Sequence, residues 1–364
     1  MKSGIVGTGF MSRVHAQAVL AAGGELVGFV ASTQDKANEA ARHYPGARGF
    51  ASIDALIDAG ADVVHVCTPN HLHEAQAAHA IGRSVAVICE KPLATSVDAA
   101  LRLTESAAQA GVVAAVPFVY RYYAAVQEIK ARLASRSEAE QPWLLHGSYL
   151  QDWLAEPTSM NWRVDPKLGG GSRAFGDIGV HWCDLIEFVT GQRIVSLSAR
   201  LGNAFVRAGD AAANATEDGG VIQFATDAGS IGSLVVSQVS AGRKNRLWFS
   251  IDGADRSYSF DQEAPDTFWQ GELDENRWVV RDPERQHLTA RARASALPSG
   301  HPQGYQHCFN DFVASVYAAV AGEPDAAPPR FADGLRAARL TEATLVSARE
   351  NAWVDVETEY AAVS

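Results

Sequence analysis

A glycine-rich turn near the start of the chain constrains the fold more than any other feature. A short apolar run over residues 3–6 is followed by Gly7-Thr8-Gly9-Phe10-Met11-Ser12, and residues 13–22 then have a helical pattern. Gly7 permits a tight turn, and Gly9 lets the backbone approach a pyrophosphate at the positive end of the helix. Ser12 replaces the usual third glycine and is small enough for close packing of helix on strand. This order of elements predicts a Rossmann-type dinucleotide-binding domain, with Phe10 and Met11 also lining the coenzyme site.

The end of the second predicted strand bears on the choice of coenzyme. Residues 25–30 form this strand, and Ala31-Ser32-Thr33 follow it. An acidic residue here would bind the ribose hydroxyls of NAD, and a nearby arginine would favour the 2′-phosphate of NADP. Neither is present, but Ser32 and Thr33 can hydrogen-bond a ribose. The missing arginine favours NAD and leaves NADP open. Residues 33–42 then predict a capped helix.

The next strand end supplies further candidate coenzyme contacts. Residues 62–67 predict a buried strand, followed by Thr68-Pro69-Asn70 and a helix that starts at His71. We expect Thr68, Pro69 and Asn70 to line the crevice at the carboxyl edge of a parallel sheet, and His73 to contact its rim. His65, His71 and His73 do not predict a metal site. His71 and His73 are two positions apart and do not share a helix face, and His65 lies on the strand.

A lysine stands at the end of the strand predicted over residues 84–89. The strand runs into Glu90-Lys91-Pro92. A side chain at this place points into the crevice where open α/β sheets bind ligands, and Pro92 favours an extended backbone at Lys91. On the tripeptide alone, a surface Lys-Pro turn is the alternative. A helix over 96–111 and a strand over 112–119 follow, which place Tyr120 and Arg121 over the same crevice.

Length and composition indicate an ordinary globular enzyme. The chain has 364 residues, which predicts about two domains, and its net charge of −11 argues against nucleic acid or an acidic membrane surface as partner. The four cysteines are scattered, without a C-x-x-C pair, which is typical of reduced thiols. There is no secretory h-region and no apolar run of membrane-spanning length, so we expect a cytoplasmic protein.

Segments of alternating polarity mark a second domain from about Trp143. Turns such as Asp252-Gly253 separate several of them, and this pattern predicts a largely antiparallel sheet. The segments span residues 144–152, 194–201, 219–225, 230–239, 246–251 and 257–260. An amphipathic helix over 331–351 closes the chain and is expected to pack back on the body of the protein.

One long helix is predicted to interrupt this sheet, over residues 169–190, with Gly191 as its C′ residue. Asp177 and His181 are four positions apart and therefore project from one face, and Asp184 follows on the same stripe. A carboxylate beside an imidazole raises the basicity of the ring, which suits a general base near neutral pH. A buried polar pair that serves only packing is the alternative.

These motifs, taken in order, resemble those of the Gfo/Idh/MocA family, which includes glucose–fructose oxidoreductase and inositol dehydrogenase. The motifs are Gly7-Thr-Gly-Phe-Met, Thr68-Pro-Asn with His73, Glu90-Lys-Pro, the stretch from Gly170 to Asp184, and Phe331-Ala-Asp-Gly. The resemblance implies an α/β protein with an N-terminal Rossmann domain over residues 1–121. It implies a C-terminal substrate-binding α/β domain over 122–364, whose open, mostly antiparallel sheet forms the interface of a homodimer or homotetramer.

The resemblance also implies residue roles. Lys91, before a cis proline bond, would be catalytic together with Asp177 and His181, and Asn161-Trp162-Arg163 resembles a segment that reaches the nicotinamide. Coenzyme contacts would further include Glu90, Lys91 and Arg121. The expected reaction is hydride transfer between a nicotinamide and a ring secondary alcohol of a sugar, sugar acid or inositol. The candidate substrate wall is Tyr120, Arg121, Asp152, Trp153, Trp162, Arg163, His301 and Tyr305, beside the three catalytic residues.

Two alternatives stay open. Some relatives are glycosidases that oxidise a sugar at C3, eliminate the aglycone, add water and reduce the product again. The cations Arg163, Lys167, Arg173, Arg243 and Lys244 would then suit an anionic sugar such as a uronate or sulfonate. The other alternative is a dinucleotide sensor without catalysis, although Lys91, Asp177 and His181 are all present.

Overall fold

The computed structural model describes residues 1–135, 141–159, 161–207, 216–284, 287, 293 and 295–357. The chain forms two compact units. Of the described residues, the first contains Met1–Val119 and Tyr305–Ala338, and the second contains Tyr120–Gly304 and 339–357. The domain boundary predicted between residues 121 and 122 differs from this division, because it leaves residues 305–338 outside the first unit.

The first unit is built on a parallel sheet of six strands in the order β3-β2-β1-β4-β5-β6. Its central strands are short, apolar and buried, which is what a sheet covered on both faces requires. The strand order reverses between β1 and β4, and a ligand crevice forms at such a switch point. The strands are β1 Lys2–Val6, β2 Glu25–Val30, β3 Arg48–Phe50, β4 Val63–Val66, β5 Ala86–Cys89 and β6 Ala114–Ala115.

Side-chain caps define where several helices of this unit begin. The hydroxyls of Thr33, Ser52 and Ser96 accept hydrogen bonds from backbone N–H groups three residues on. At the far end of α5, Gly111 adopts φ +64°, as a helix C-terminus favours. The helices are α1 Phe10–Ala21, α2 Gln34–Ala41, α3 Ile53–Asp58, α4 His73–Gly82 and α5 Val97–Ala110.

The strand predicted over 112–119 is mostly wrong. Only Ala114–Ala115 pairs with β5, and the backbone N–H of Val116 bonds instead to Pro329 O at 3.1 Å. Pro117 has no N–H and cannot continue a ladder. The chain then forms a 3-10 turn over Val119–Tyr122, so Tyr120 and Arg121 belong to the second unit rather than to a strand end of the first.

The second unit is built on a sheet of nine strands in the order β14-β13-β12-β11-β7-β10-β9-β8-β15. All pairs are antiparallel except β7 with β10, which confirms a mostly antiparallel sheet. β13 and β14 were not predicted, because their sequences mix polar and aromatic residues without clear alternation. The strands are β7 Leu144–Leu150, β8 Ile194–Gly202, β9 Gly219–Thr226, β10 Ile231–Ser237, β11 Arg246–Asp252, β12 Arg256–Asp261, β13 Thr267–Glu272, β14 Asn276–Val280 and β15 Val354–Asp355.

Helices cover one face of this sheet, namely α6 Ala124–Ala134, α7 Pro166–Gly169 and α8 Val180–Thr190. Trp182 of α8 anchors the packing: its indole N–H donates to Trp248 O at 2.9 Å. The long helix predicted from residue 169 begins only at Phe175, as one π-helical turn that runs into α8. Gly170 has φ +100°, outside helical geometry, which separates α7 from this turn. Gly191 ends α8 with φ +74°, as expected.

Two helices follow the second sheet, α9 Tyr305–Val320 and α10 Phe331–Glu350. α9 returns to the first unit and packs on α1, where Gln306 Nε2 donates to Val14 O at 3.1 Å. α10 begins in the first unit, and its last turns belong to the second, where Ser347 Oγ accepts from Ala199 N at 2.9 Å. Within the described residues, no helix is both long and apolar enough to cross a membrane.

Candidate active site

Four turns meet at the carboxyl edge of the first sheet. Backbone hydrogen bonds join neighbouring strand ends: Gly7 N to Val30 O at 2.8 Å, Cys67 N to Val6 O at 2.8 Å, and Glu90 N to Val66 O at 2.9 Å. The segments Gly7–Met11, Ser32–Thr33, Thr68–Asn70 and Glu90–Lys91 therefore leave the sheet along one edge. The structure brings together, along this edge, segments that the sequence analysis predicts to bind the coenzyme.

The glycine turn fits a dinucleotide. Gly7 has φ +114°, and a Cβ there would lie 2.6 Å from Cys67 O, so only glycine fits. Gly9 is the N-cap of α1 and provides no side-chain cap. A Cβ on Gly9 would meet no heavy atom within 4 Å, which leaves room in front of the first N–H groups of α1. These N–H groups and the positive helix end suit a pyrophosphate, with Phe10 and Met11 in the first turn beside it.

A buried histidine, His73, contacts the turn that follows β4. Nδ1 of His73 lies 2.7 Å from Pro92 O, and Nε2 lies 2.9 Å from Thr68 O. His73 therefore links the Thr68–Asn70 turn to the Lys91–Pro92 turn through their backbones. Burial lowers the pKa of His73, and the two carbonyls and Glu90 only partly offset this. At neutral pH the ring donates to one of the two carbonyls at a time.

Lys91 lies on the turn that follows β5, and the Lys91–Pro92 peptide bond is cis, as the resemblance implies. The backbone N–H of Lys91 donates to Oε2 of Glu90 at 3.2 Å. Glu90 points inward, where His15 contacts its other oxygen at 2.9 Å. His65, which the sequence brought to attention as a possible metal ligand, bonds to His15 and Ser3. These partners account for its burial without a metal.

His181, one of the predicted acid–base residues, lies beside two tyrosines of the second unit. His181, on the first turn of α8, packs edge-on against the ring of Tyr120, with centroids 5.1 Å apart, and 6.5 Å from that of Tyr149. The two tyrosine hydroxyls are hydrogen-bonded to each other. Asn245 Oδ1 accepts from the Tyr149 hydroxyl at 2.8 Å. A polar, largely buried cluster therefore surrounds the imidazole.

Asp177 lies in the π-helical turn before α8, and such turns are frequent at functional sites. Its Oδ2 accepts from Gln238 Nε2 at 2.7 Å, and its Oδ1 lies 3.6 Å from Arg163 Nε. Sequence reasoning missed Gln238, Asn245 and Tyr149. Gln238 and Asn245 lie just outside β10 and β11, so polar residues at strand ends were the signal that could have found them. Direct orientation of His181 by Asp177 stays a prediction.

Arg121 is held within the second unit. Its Nε donates to Asp184 Oδ2 at 2.8 Å, its Nη2 bonds to the other oxygen, and its guanidinium lies over the Phe188 ring at 5.1 Å. Asp184, predicted to share a stripe with Asp177 and His181, thus has Arg121 as its ion-pair partner. The pair is largely buried and joins the 3-10 turn over Val119–Tyr122 to helix α8.

The remaining candidate residues are spread over several segments. Trp162 and Arg163 lie in a 3-10 turn capped by Asn161, with the Arg163 guanidinium 4.4 Å from the indole centroid. Asp152 accepts from Lys244 at 2.6 Å, and Trp153 Nε1 donates to Gln151 at 2.9 Å. His301 lies on an exposed turn of the second unit, whereas Tyr305 begins α9 in the first unit.

The structure excludes Arg173 as one of the cations proposed to bind an anionic sugar. Arg173 is 2% exposed and forms a buried ion pair with Asp218, which Arg207 also contacts at 3.1 Å. Burial raises the pKa of Asp218, but the hydrogen bond of Arg207 and the charge of Arg173 outweigh it and hold that pKa below its ordinary value. Arg173 therefore stabilises the fold around the π-helical turn and does not present a charge to a ligand.

Comparisons with known proteins agree with this fold. Residues 1–118 match the model of the oxidoreductase family with an NAD-binding Rossmann fold, GFO/IDH/MocA, and residues 126–259 match its C-terminal domain. Levoglucosan dehydrogenase of Pseudarthrobacter phenanthrenivorans is 29% identical over 97% of both chains. A levoglucosan dehydrogenase structure with NADH and levoglucosan superposes with a TM-score of 0.89 at 26% identity, covering 98% of this chain and 100% of that one.

A third relative shares the fold at lower identity. It is an inositol dehydrogenase homologue from Azotobacter vinelandii, solved with NADH and myo-inositol, with a TM-score of 0.86 at 22% identity. It covers 98% of this chain and 97% of that chain. The family models cover most of the chain, in the order that the motifs require. The chain belongs to the Gfo/Idh/MocA family of NAD-binding oxidoreductases.

Proposed function

We propose that this protein oxidises a ring secondary alcohol of an uncharged sugar or cyclic polyol, with NAD as the hydride acceptor. The observation that carries the proposal is Asp177, which Gln238 and Arg163 contact one helical turn before the buried His181, in a family of sugar and inositol dehydrogenases. A carboxylate fixed by an amide and an imidazole on the following turn are groups suited to proton transfer from a hydroxyl. The substrates for which the relatives are named, levoglucosan and inositol, support the substrate class.

The proposed roles follow from the chemistry of each side chain. NAD, when bound, would supply the hydride acceptor for this reaction at C4 of its nicotinamide. His181 takes the hydroxyl proton as the C=O bond forms, and Asp177 stabilises the resulting imidazolium. Lys91 donates a hydrogen bond to the same oxygen and stabilises the developing alkoxide. Trp162 offers an aromatic surface for the apolar face of a sugar ring, whereas Tyr120 is only 3% exposed and packs on Tyr123 and His181.

The redox-assisted glycosidase remains an alternative without a specific observation in its favour. Its anionic-substrate form relied on a set of cations, and Arg173 is buried against Asp218 while Lys244 is paired with Asp152. A non-catalytic sensor is disfavoured because Lys91, Asp177 and His181 are all present. We therefore expect net coenzyme reduction rather than catalytic recycling.

Self-association is part of the proposal. The face of the second sheet opposite α8 carries Val221, Ile231 and Val235 near one end and Trp269 and Trp278 near the other. All are exposed or half-exposed. A broad sheet face of this kind with apolar residues suits a second copy of the chain, in a homodimer or homotetramer. We also place the enzyme in the cytoplasm, which its four cysteine thiols support.

The test is a panel of inositols, anhydrosugars, aldoses and aryl glycosides, incubated with NAD while absorbance at the NADH band and products are followed together. The dehydrogenase predicts one NADH for each alcohol oxidised to a ketone. Aglycone release with only catalytic NAD and no net NADH would establish the glycosidase instead. NADH binding without turnover of any panel member would leave the sensor.

A further inference from the structure

The π-helical turn that carries Asp177 has no cap from its own N-cap residue. That residue is Ala174, whose methyl side chain cannot accept a hydrogen bond. The first N–H groups of a helix have no partner within the helix, and burying them unpaired costs free energy. Ala174 and Phe175 are both 0% exposed, so bulk water does not reach the start of the turn. The turn therefore requires an acceptor from elsewhere in the chain.

Glu217, just before β9, supplies this acceptor from 42 positions beyond Phe175. Its Oε1 accepts from Phe175 N at 2.9 Å, from Arg173 N at 3.0 Å and from Ser172 Oγ at 2.6 Å. Ser172 Oγ in turn accepts from Gly176 N at 3.0 Å. Glu217 is 4% exposed, and hydrogen bonds to an ionised acceptor are the strong ones. One buried carboxylate thus holds the start of the turn.

The residue after Glu217 holds the hydrogen-bond partner of Asp177. The backbone N–H of Gln238 donates to Asp218 O at 2.9 Å, and Gln238 Nε2 donates to Asp177 Oδ2 at 2.7 Å. The adjacent residues Glu217 and Asp218 therefore support both partners of this bond, one through a side chain and the other through a carbonyl. A hydrogen bond weakens steeply when its length or angle departs from the ideal, so its geometry depends on both supports.

Two buried arginines keep Glu217 and Asp218 in place. Arg173 Nε donates to Glu217 O at 3.1 Å, and its Nη2 bonds to the Asp218 carboxylate. Arg207 Nη2 donates to the same carboxylate at 3.1 Å and to Leu154 O at 2.7 Å. Arg173 and Arg207 are 2% and 3% exposed. Side chains locked by packing and hydrogen bonds in this way give a rigid support for a functional group.

We propose that Glu217 is a positioning residue for Asp177. Its carboxylate orders the start of the π-helical turn, and this sets the Asp177 carboxylate against Gln238. Glu217 acts through the backbone of the turn and not on the substrate. The inference rests on the proposed function, because the orientation of Asp177 affects turnover only if Asp177 assists proton transfer. The alternative is a cap that serves stability alone.

The test compares Glu217→Met with Glu217→Gln in the purified full-length protein. Met keeps the length of the side chain and removes the acceptor, whereas Gln retains an oxygen that can accept from the same donors. We expect Glu217→Met to lower kcat for the best sugar of the panel about 10- to 100-fold, with KM for NAD unchanged, because a small displacement of a positioned group is costly. Glu217→Gln should keep kcat within about fivefold of the wild type.

Glu187→Met is the matched control. Glu187 is 5% exposed, lies toward the C-terminal end of α8 and accepts from Ile194 N at 2.9 Å. Both Met variants should lower Tm, because each removes a buried carboxylate and leaves its donors unpaired. A positioning role predicts a fall in kcat of the folded fraction for Glu217→Met only. Wild-type kcat in both variants, or an equal fall in both, would overturn the inference.

A milder substitution keeps the inference testable if Glu217→Met does not fold. Ser172→Ala removes one partner of Glu217 and the acceptor of Gly176 N, and it should lower kcat about 3- to 10-fold. Combined with Gln238→Leu, which removes the hydrogen bond to Asp177, it should lower kcat little further than Gln238→Leu alone. Effects that multiply would show that the two residues act separately, which contradicts the inference.

Hydrogen exchange of peptides that cover residues 172–181 gives a readout that needs no substrate. Exchange should be faster in Glu217→Met but not in Glu187→Met, because the capped N–H groups lose their acceptor. Unchanged exchange in Glu217→Met would overturn the inference and leave the proposed function standing. Faster exchange in a protein that turns over no member of the sugar panel would support the inference and count against the proposed function.

Discussion

Nε2 of His15 lies 2.9 Å from Oε1 of Glu90, and the two side chains are 0% and 8% exposed. This contact is the first in a buried series of hydrogen bonds within the first unit. His15 Nδ1 lies 2.9 Å from His65 Nδ1, His65 Nε2 lies 3.2 Å from Ser3 Oγ, and Ser3 Oγ lies 2.6 Å from the hydroxyl of Tyr317. The residue next to Lys91 is thus tied to the centre of the Rossmann core.

The hydrogen bonds and charges around Glu90 keep its carboxylate ionised. Burial raises the pKa of Glu90, but the hydrogen bond from His15 and the charges of His15, Lys91 and His73 outweigh it, so the pKa lies below its ordinary value. The carboxylate accepts from His15 on one oxygen and from the backbone of Lys91 on the other. The strand end that carries Lys91 is therefore supported by a buried negative charge.

We expect Glu90→Gln to destabilise the protein by about 3 kcal/mol, because removing one partner of a buried charged pair leaves the other without compensation. Calorimetric unfolding of the full chain at pH 7 measures the change. Glu39→Gln is the matched control, since Glu39 pairs with Arg42 on the surface and such pairs contribute about 1 kcal/mol or less. Equal, small shifts for both variants would show that the buried network does not stabilise the fold.

The stability should depend on pH through His65. Burial lowers the pKa of His65 well below its ordinary value, and the charge of His15 lowers it further. The unfolded chain binds a proton on this residue near pH 6.5, whereas the folded chain does so only at much lower pH. Stability from this residue is therefore complete above about pH 6.5 and falls on acidification, by up to about 1.4 kcal/mol per pH unit.

His65→Gln should remove this component, so its midpoint temperature should fall less than that of the wild type between pH 7 and pH 5. Differential scanning calorimetry at intervals across this range measures both slopes. His43→Gln, at an exposed position, should keep the wild-type slope. A His65→Gln slope as steep as that of the wild type would mean that the buried histidine takes up its proton in the folded state.

Local sequence patterns predicted strands of the parallel sheet and the starts of two helices. The apolar runs before Gly7, Ala31, Thr68 and Glu90 correspond to strands of the parallel sheet, and the caps Thr33 and Ser96 begin helices where expected. The π-helical turn at Asp177 could not be foreseen, because its i, i+4 spacing to His181 also suits an ordinary helix.

Contacts between residues that are far apart in the chain could not be predicted from the sequence. Gln238 meets Asp177 across 61 positions, and α9 returns to α1 across almost the whole chain. Sequence spacing indicates which residue types are present, whereas tertiary packing determines which of them come into contact.

Gln238 is predicted to be a positioning residue for Asp177. Gln238→Leu removes the 2.7 Å hydrogen bond to Oδ2, so the carboxylate should lose its fixed orientation. We expect kcat for the best sugar to fall about 10- to 100-fold, with KM for NAD unchanged, because Gln238 lies outside the segments predicted to bind the coenzyme. Gln223→Leu, on an exposed position of β9, is the control. A purely structural role would instead lower Tm and leave kcat of the folded fraction intact.

Lys91 is predicted to act on the reacting oxygen. Lys91→Met should lower turnover by roughly two or more orders of magnitude while NADH binding stays largely intact, because the ammonium acts chiefly on charge that develops in the transition state. Steady-state kinetics and a fluorescence titration separate the two effects, with Lys2→Met as control. Turnover near the wild-type value would remove Lys91 from the mechanism.

The outer face of the second sheet should be the contact between copies of the chain. Trp269 and Trp278 lie directly opposite each other on β13 and β14, and Trp278 is 69% exposed. Each large aromatic ring left in water represents unfavourable apolar surface, which a second copy would bury. Trp278→Glu places a charge in this face, and burying a charge without a partner is costly. Size-exclusion chromatography with light scattering should therefore show a shift toward monomer.

Trp353→Glu is the matched control, because Trp353 is 55% exposed but lies outside the strands that form this face. It should keep the oligomeric mass of the wild type across the same concentration series. Dissociation by Trp278→Glu alone would assign the interface to the β13–β14 end of the sheet, since the two variants add the same charge. A wild-type protein that is monomeric at all concentrations, or equal dissociation by both variants, would refute the assignment.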